Sequence, residues 1–375
     1  MTKKKRAIVS VTNDLYTDNR VNKICLFLVE EGYDVLLVGR LRKKSLPLAS
    51  RAYETKRMKL LFDKGPLFYA SYNLRLFFLL LAQRADVLVA NDLDTLLANF
   101  VAKKFKPSTK LVYDSHEYFT EVPELTKRPR VQRFWLGIEK FIFPKLKTIY
   151  TVNQSIAQLY EETYKKNIQV IRNISPTWKP NTYLSKAELG IPENKFVLIL
   201  QGAGINVDRG AEEAVEAMRQ LKDCVLLIVG DGDVVEELTK NVSVYDLQDS
   251  VLFFGKRPYD EMMQFTHNAD LGLTLDKATN LNYKFSLPNK VFDYIHAGTP
   301  ILSTRLVEIE RVVERNKVGI LIDELTVDSL VGAIQSLQLN KNLLDELKAN
   351  CQKAAEVENW DEEKKILKEI YSNLG

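Results

Sequence analysis

Lys290 and Asp293 stand three residues apart in Phe285-Ser-Leu-Pro-Asn-Lys-Val-Phe-Asp-Tyr-Ile-His-Ala-Gly-Thr-Pro300. On a helix that spacing sets ammonium and carboxylate on nearly one side, with Val291, Phe292 and Ile295 on the buried side. A carboxylate one turn into a helix can accept two hydrogen bonds from a vicinal diol such as a ribose, and Lys290 can meet phosphate charge. The same two residues also read as a plain surface ion pair worth roughly 0.2–0.5 kcal/mol. Pro288 suits the first helical position and Gly298 the residue after the last turn.

Three further stretches hold residue types that could do chemistry. Gln201-Gly-Ala-Gly-Ile-Asn-Val-Asp-Arg-Gly210 follows a strand pattern and precedes a helical one. Glycines such as Gly204 let a backbone approach a ligand, and a helix start favours phosphate. Arg209 would add a permanent charge for a diphosphate. The spacing is neither the dinucleotide fingerprint nor a P-loop, so nicotinamide and ATPase readings lose ground. Asp-x-Asp occurs in Val229-Gly-Asp-Gly-Asp-Val234 and in Asn91-Asp-Leu-Asp94. Such a pair could hold a metal-bound diphosphate, but each sits where a strand hands over to a helix, and capping is the favoured reading. In Asp114-Ser-His-Glu-Tyr118, His116 directly follows a strand end, where an imidazole could donate to a substrate hydroxyl or stabilise a reacting centre. His296 lies inside a helical pattern and reads as packing or helix-end electrostatics.

Strand and helix patterns alternate around these stretches. The first series has strands at 7–11, 34–38, 87–90, 111–113, 148–152 and 170–171, with helices at 19–31, 93–104, 131–146 and 154–163. After the polar break Ser175-Pro-Thr-Trp-Lys-Pro-Asn-Thr182 a second series runs through strands at 196–201, 224–229, 251–254, 271–275, 300–303 and 318–321. Its helices are expected at 210–221, 233–240, 259–268 and 288–297, and then at 326–337, 341–356 and 359–373. Two such series predict an α/β chain of two doubly wound Rossmann-like domains facing each other across a cleft. The expected bounds are 1–177 for the amino-terminal domain and 178–357 for the carboxyl-terminal one, with a helix at 358–375 packing back on the first.

The chain has 375 residues, three cysteines and three histidines. Cys25, Cys224 and Cys351 are far apart, and no CxxC exists, so neither a disulfide framework nor a zinc site is expected. The basic start MTKKKR runs straight into a strand pattern, which argues against a secretory signal and for a cytoplasmic protein. The most apolar window, residues 74–82, is too short to span a bilayer and contains Arg75. Net charge is +4, but residues 1–180 hold 32 Lys and Arg against 17 Asp and Glu, while the remainder holds 21 against 32. A basic half favours an anionic partner, and residues 127–147 alternate basic and aromatic types in a helical frame suited to lying on a membrane surface. A core helix with a basic outer face fits equally. No nucleic-acid-binding module is recognisable.

Taken together these stretches resemble a glycosyltransferase of the GT-B fold, of the retaining family-4 type (glycosyl transferases group 1). The family's donor-site helix, approximately P-x-K-x-x-E-Y-x-x-x-G-x-P, is similar to Pro288 through Pro300; its arginine-glycine turn is similar to Arg209-Gly210, and its later glycine turn to Gly230-Asp-Gly232. In the first half, Asp18-Asn-Arg-Val21, Asp114-Ser-His-Glu117, Asn153-Gln-Ser155 and Ile171-Arg-Asn173 resemble the family's landmarks. The resemblance implies that Asp293 binds the donor ribose, Arg209 and Lys290 the diphosphate, and Gly204, Ser286, Leu287, Pro288 and Asn289 line the donor. It implies that Gly230, Lys256 and Arg257 border the base and that His116 faces the transferred sugar. Asn13, Asp18 and Glu117 would lie on the acceptor and phosphate side. Two departures stand out. The family's E-x7-E pair would start at position 285, which is Phe285, and the lysine expected five residues after the turn arginine is Ala214.

The expected activity is therefore transfer of a hexose from a UDP- or GDP-linked sugar to a hydroxyl of a glycan or lipid-linked saccharide, with retention. No metal and no cofactor are implied, and cationic side chains would do the work of a metal. An anionic membrane surface is a further possible partner, with the chain peripheral on the inner membrane surface. The alternatives are a sugar-nucleotide epimerase on the same fold and an inactive nucleotide-sugar binding module, the second supported by Phe285 and Ala214.

Overall fold

The computed structural model describes residues 4–16 and 18–374. Residues 1–3, which open the basic amino-terminal run, Thr17 and Gly375 lie outside the described residues. The chain divides into two units, Met1–Asn173 with Lys364–Gly375, and Ile174–Glu363.

The first unit runs β1 (Arg6–Asp14), α1 (Asn19–Glu30), β2 (Asp34–Leu41), β3 (Glu54–Lys59), α2 (Gly65–Ala82), β4 (Val87–Asn91) and α3 (Leu93–Phe105). It continues with β5 (Lys110–Ser115), α4 (Pro123–Thr126), α5 (Pro129–Ile142), β6 (Thr148–Thr151), α6 (Gln154–Tyr164) and β7 (Gln169–Val170). Its sheet has the order β3-β2-β1-β4-β5-β6-β7, and every pairing is parallel. Strand order reverses beside β1, so the carboxyl ends of β1, β4 and β5 form the place where such sheets bind ligands.

The second unit runs β8 (Phe196–Gly202), α7 (Ala211–Ala217), β9 (Cys224–Gly230), α8 (Val235–Val244), β10 (Val251–Phe253), α9 (Tyr259–His267), β11 (Leu271–Thr274) and α10 (Leu281–Lys284). It then runs α11 (Lys290–Ala297), β12 (Ile301–Thr304), α12 (Val307–Asn316), β13 (Gly319–Ile322), α13 (Val327–Leu339) and α14 (Lys341–Ala355), and the last helix, α15 (Trp360–Ser372), begins in this unit and continues in the first. The order β10-β9-β8-β11-β12-β13 again reverses beside the first strand. Leu198, Leu226, Leu271 and Leu302 enter one apolar cluster while Val197, Val225, Leu227 and Ile301 enter another on the opposite face. Burial on both faces explains why these strands read as near-continuous apolar runs.

The sequence expectation differs from the structure at several elements. β3 is an edge strand of mostly exposed polar residues, so it carries no apolar alternation to read. α2 holds the apolar window at 74–82, but as the end of an 18-residue helix opened by Pro66. α12 has its apolar contacts at Ile309, Val312 and Val313, a helical spacing the strand-centred reading passed over. The expected helix 131–146 is α5 followed by a tight turn at Phe143–Lys145. The unit boundary falls after Asn173 and within α15, not at 177 and 358. The last half of α15 packs on the first unit: Leu367 is buried, Lys364 pairs with Glu30 at 3.1 Å, and the Tyr371 ring lies 5.7 Å from that of Phe27.

Candidate functional site

In the second unit the site begins with Arg209, at the end of the loop that follows β8. Its Nη1 donates to Asp276 Oδ1 at 2.7 Å, and its guanidinium carbon lies 4.2 Å from the centroid of the Tyr283 ring. Asp276 follows β11 and is fully buried. Lys290, in the first turn of α11, is half-buried. Burial lowers its pKa, Asp276 opposes that, and Arg209 adds to the lowering, so the net direction is downward. The buried carboxylate is paired with Arg209, and its charge is also felt by Lys290. Arg209 Nε, Asp276 Oδ2 and Ser286 Oγ are all buried without a hydrogen-bond partner among the described residues. The two orphan atoms of the Arg209–Asp276 pair mark a place prepared for a polar ligand at the carboxyl end of β11. Sequence reasoning missed Asp276 and Tyr283, since their partner Arg209 lies 67 and 74 residues earlier in the chain.

Asp293 does not share an exposed side with Lys290. It is buried, and its Oδ1 accepts from Ser175 Oγ at 3.0 Å and from Tyr259 OH at 3.1 Å. The expectation of a Lys–Asp stripe is thereby corrected, because α11 is buried at Val291 through Ile295 without a break. Pro288 also precedes the helix instead of starting it; the first helical residue is Lys290, and Val291 N donates to Pro288 O. Ser286, Leu287 and Pro288 are half-buried and Asn289 is exposed in that approach. Phe285 is half-buried, with Lys284 Nζ 5.5 Å from its ring centroid, so a cation and an aromatic stand at the position where an acid was expected. Ala214 sits inside the apolar cluster of this unit, where a lysine would have no room for its charge.

A Cβ at Gly204 would meet only Asn206 Nδ2, at an ordinary contact distance of 3.7 Å. At Gly230 (φ 151°) a Cβ would stand 1.8 Å from Gly202 O, so glycine is required there by the meeting of β8 and β9. Lys256 and Arg257 are exposed in the loop after β10, and Arg257 Nε donates to Phe254 O at 2.9 Å. Neither Asp-x-Asp pair caps its helix. Asp231 Oδ1 accepts from Gly232 N, and α8 has Val234 at its cap with no side-chain hydrogen bond.

In the first unit Asp92 precedes α3 but likewise makes no side-chain cap. Its Oδ1 accepts from His116 N at 2.8 Å and its Oδ2 lies 3.3 Å from His116 Nδ1. His116 Nε2 lies 3.1 Å from Asn91 Oδ1 and 3.4 Å from Asp114 Oδ2. Burial alone would lower the pKa of His116; Asp92 and Asp114 outweigh it and raise the value to about 9. Both ring nitrogens thus face protein acceptors, which gives the imidazolium a charge role and leaves little for donation to a substrate hydroxyl. Asp114 is itself clamped by Arg20, with Nη2 to Oδ1 at 2.7 Å and Nε to Oδ2 at 3.3 Å, while Arg20 Nη1 donates to Ile171 O. Burial, then the charge of Asp92, pushes Glu117 up to about 8, and burial, then Asp92, pushes Asp94 up to about 7. Asn13 Nδ2 donates to Asp18 Oδ2 at 3.1 Å, and Asp18 Oδ1 caps α1 at Val21 N. The structure brings His116 together with Asp92, which the sequence offered only within an Asp-x-Asp pair read as capping, and with Asp114 and Arg20, which it offered only within family landmarks.

Two Rossmann-like units with sites at their strand-order reversals define a GT-B scaffold. Residues 182–356 match the family described as glycosyl transferases group 1, and residues 19–175 match glycosyltransferase family 4. These matches and the fold support a glycosyltransferase of the GT-B class. The amylovoran biosynthesis glycosyltransferase AmsK of Erwinia amylovora is 24% identical over 201 residues, covering 48% of this chain and 49% of that protein. The chain thus spans about half the length of the curated relatives it matches. Sucrose-phosphate synthase of Thermosynechococcus elongatus superposes with a TM-score of 0.79 at 16% identity, covering 99% of both chains. Anabaena HepE in complex with UDP and glucose superposes with a TM-score of 0.75 at 16% identity, covering 98% of this chain and 99% of that one.

Proposed function

We propose that this chain transfers a hexose from a UDP- or GDP-linked sugar to a hydroxyl of a glycan or lipid-linked saccharide, with retention of configuration. The observation that carries the reading is the Arg209–Asp276 pair after β11, which leaves Arg209 Nε and Asp276 Oδ2 buried with no hydrogen-bond partner among the described residues. A leaving diphosphate gains charge as the anomeric C–O bond breaks and the electron pair stays with the phosphate oxygen. Preorganised cations stabilise that charge most where water is excluded. The acceptor oxygen forms the new bond on the face the diphosphate leaves, and its proton passes to the departing phosphate oxygen. Asp293 takes the ribose, joining the hydrogen bonds from Ser175 and Tyr259. His116 contributes fixed positive charge, and Asn13, Asp18 and Glu117 form the acceptor side of the first unit. The HepE complex with UDP and glucose makes a UDP-hexose the first donor to try. The amylovoran relative favours a polysaccharide acceptor. The three cysteines are unpaired and buried, which suits a reducing cytoplasmic compartment.

Release of nucleoside diphosphate from a panel of donors, with and without acceptor, tests this reading. Arg209→Ala and Lys290→Ala should each slow transfer about 10²-fold. Full turnover in both variants would remove the site assignment. A second reading rests on Phe285: without an acid at the sugar end, the chain holds a nucleotide sugar and does not turn it over. Calorimetric binding without any diphosphate release, under every acceptor tried, would establish that alternative.

A further inference from the structure

Helices α2, α3 and α5 lie in succession over one face of the first sheet, α2 beside α3 and α3 beside α5. We propose that the outer face of this layer docks on the surface of an anionic lipid bilayer. The proposal does not depend on the transfer reaction.

The acid count is the first argument. α2 contains no Asp or Glu, α3 contains only Asp94 and α5 only Glu139, and both of those are buried. The layer therefore shows no acid to solvent. The exposed stripe of α5 reads Arg130, Arg133, Phe134, Lys140 and Phe141, at helical spacing. Trp135, Glu139 and Ile142 form its buried side, so the basic-aromatic alternation in the sequence sorts into a wet face of cations and phenylalanines.

The second argument is exposed apolar surface. Leu67, Leu74 and Phe78 on α2, Phe105 on α3, and Phe134 and Phe141 on α5 are each 55–67% exposed. Ring contacts link phenylalanines of the layer in two groups, one between α2 and α3 and one between α3 and α5. The Phe77 ring lies 5.3 Å from Phe78 and 5.9 Å from Phe105, and Phe100 lies 6.2 Å from Phe141. Lys104 Nζ stands 5.0 Å from the Phe100 centroid, and Lys145 Nζ stands 3.2 Å from that of Phe141. Apolar patches of this extent mark interaction sites. Aromatic rings among long basic side chains match the boundary between lipid headgroups and acyl chains, where rings insert and ammonium groups stay with phosphate.

Charge selects among the occupants. A second copy would set this all-cationic face against itself. A nucleic acid would satisfy the cations but leave Leu67, Leu74 and Phe78 facing a polar backbone. An anionic bilayer satisfies both sets of groups. Among the described residues no helix is long and apolar enough to cross a membrane, so the contact is one of surface docking.

Co-sedimentation of the full chain with vesicles is the test. Phosphatidylcholine vesicles are compared with vesicles containing phosphatidylglycerol, at low and high salt. Binding is expected only with the anionic lipid and should disappear at high salt. Each Lys or Arg near such a surface contributes about 1 kcal/mol, so Arg130→Glu with Arg133→Glu should cut partitioning at least about tenfold. Phe78→Ser with Phe141→Ser should cut it comparably. Both double variants should keep the wild-type thermal melt and nucleotide binding, which separates lost docking from lost folding. No binding to anionic vesicles at low salt overturns the proposal, as does equal binding to both lipids. A dimer in light scattering that these variants dissolve overturns it in favour of a second copy.

Discussion

Asp92 is held at φ 58° and ψ 168°, a region that glycine occupies easily and other residues rarely do. The strain has a visible return: it turns the carboxylate away from the cap of α3 and onto both the backbone amide and the ring of His116. Asp92→Ala keeps the strained backbone and loses the carboxylate, whereas Asp92→Gly loses both. The glycine variant should therefore be more stable than the alanine variant by about 1–3 kcal/mol in urea unfolding. Equal midpoints would show that the backbone is not strained. Both variants should bring the His116 pKa down from about 9, followed by NMR of its ring protons. The sign of the linked stability follows from the raised value. The unfolded histidine titrates near 6.5, so the stabilisation from charged His116 is complete below about pH 6.5 and is lost as pH rises through 9. Wild type should lose more stability between pH 7 and 10 than Asp92→Ala.

At the scale of elements, α11 shows what local sequence can and cannot announce. Its end is legible: Gly298 sits at φ 73°, its N donates to Ile295 O, and Thr299 N donates to Tyr294 O. A Cβ at Gly298 would have Gln352 Cγ at 3.9 Å as its nearest neighbour, so Gly298→Ala should cost only the conformational term, about 1 kcal/mol. Nucleotide affinity should be unchanged, since the start of the helix is left intact; a tenfold weaker affinity in calorimetry would contradict that. The burial of Asp293 was not legible, because its partners Ser175 and Tyr259 lie 118 and 34 residues away. The same holds for Arg209 and Asp276, and for Asp92 and His116. Punctuation by proline and glycine is local chemistry and survives in the sequence; the pairing of buried charges is set by strand order and does not. The missed strand β3 makes the complementary point, as an exposed edge needs no apolar pattern. The periodicity of α12 was present at Ile309, Val312 and Val313 and could have been found by the spacing rule applied elsewhere.

At the scale of the whole molecule, each unit has its own parallel sheet and its own buried core, and the charge is divided between them. The cations assigned to the diphosphate, Arg209 and Lys290, and the carboxylate assigned to the ribose, Asp293, all belong to Ile174–Glu363. A ligand stabilises the folded state that binds it by RT ln(1 + [L]/Kd), about 2.7 kcal/mol at one hundred times Kd. That energy should enter the unit that holds those residues. Amides of β8, β9 and β11, which exchange only when the second unit opens, should slow about 100-fold in hydrogen exchange when nucleoside diphosphate is added at that level. Amides of β1, β4 and β5 should exchange as before. The wild-type chain can be followed intact through both sheets in one measurement. Arg209→Ala should reduce the protection of β8, β9 and β11 without touching the first sheet. Protection spread equally over both sheets would mean that the units unfold as one cooperative body, and protection confined to β1, β4 and β5 would move the nucleotide site to the other unit.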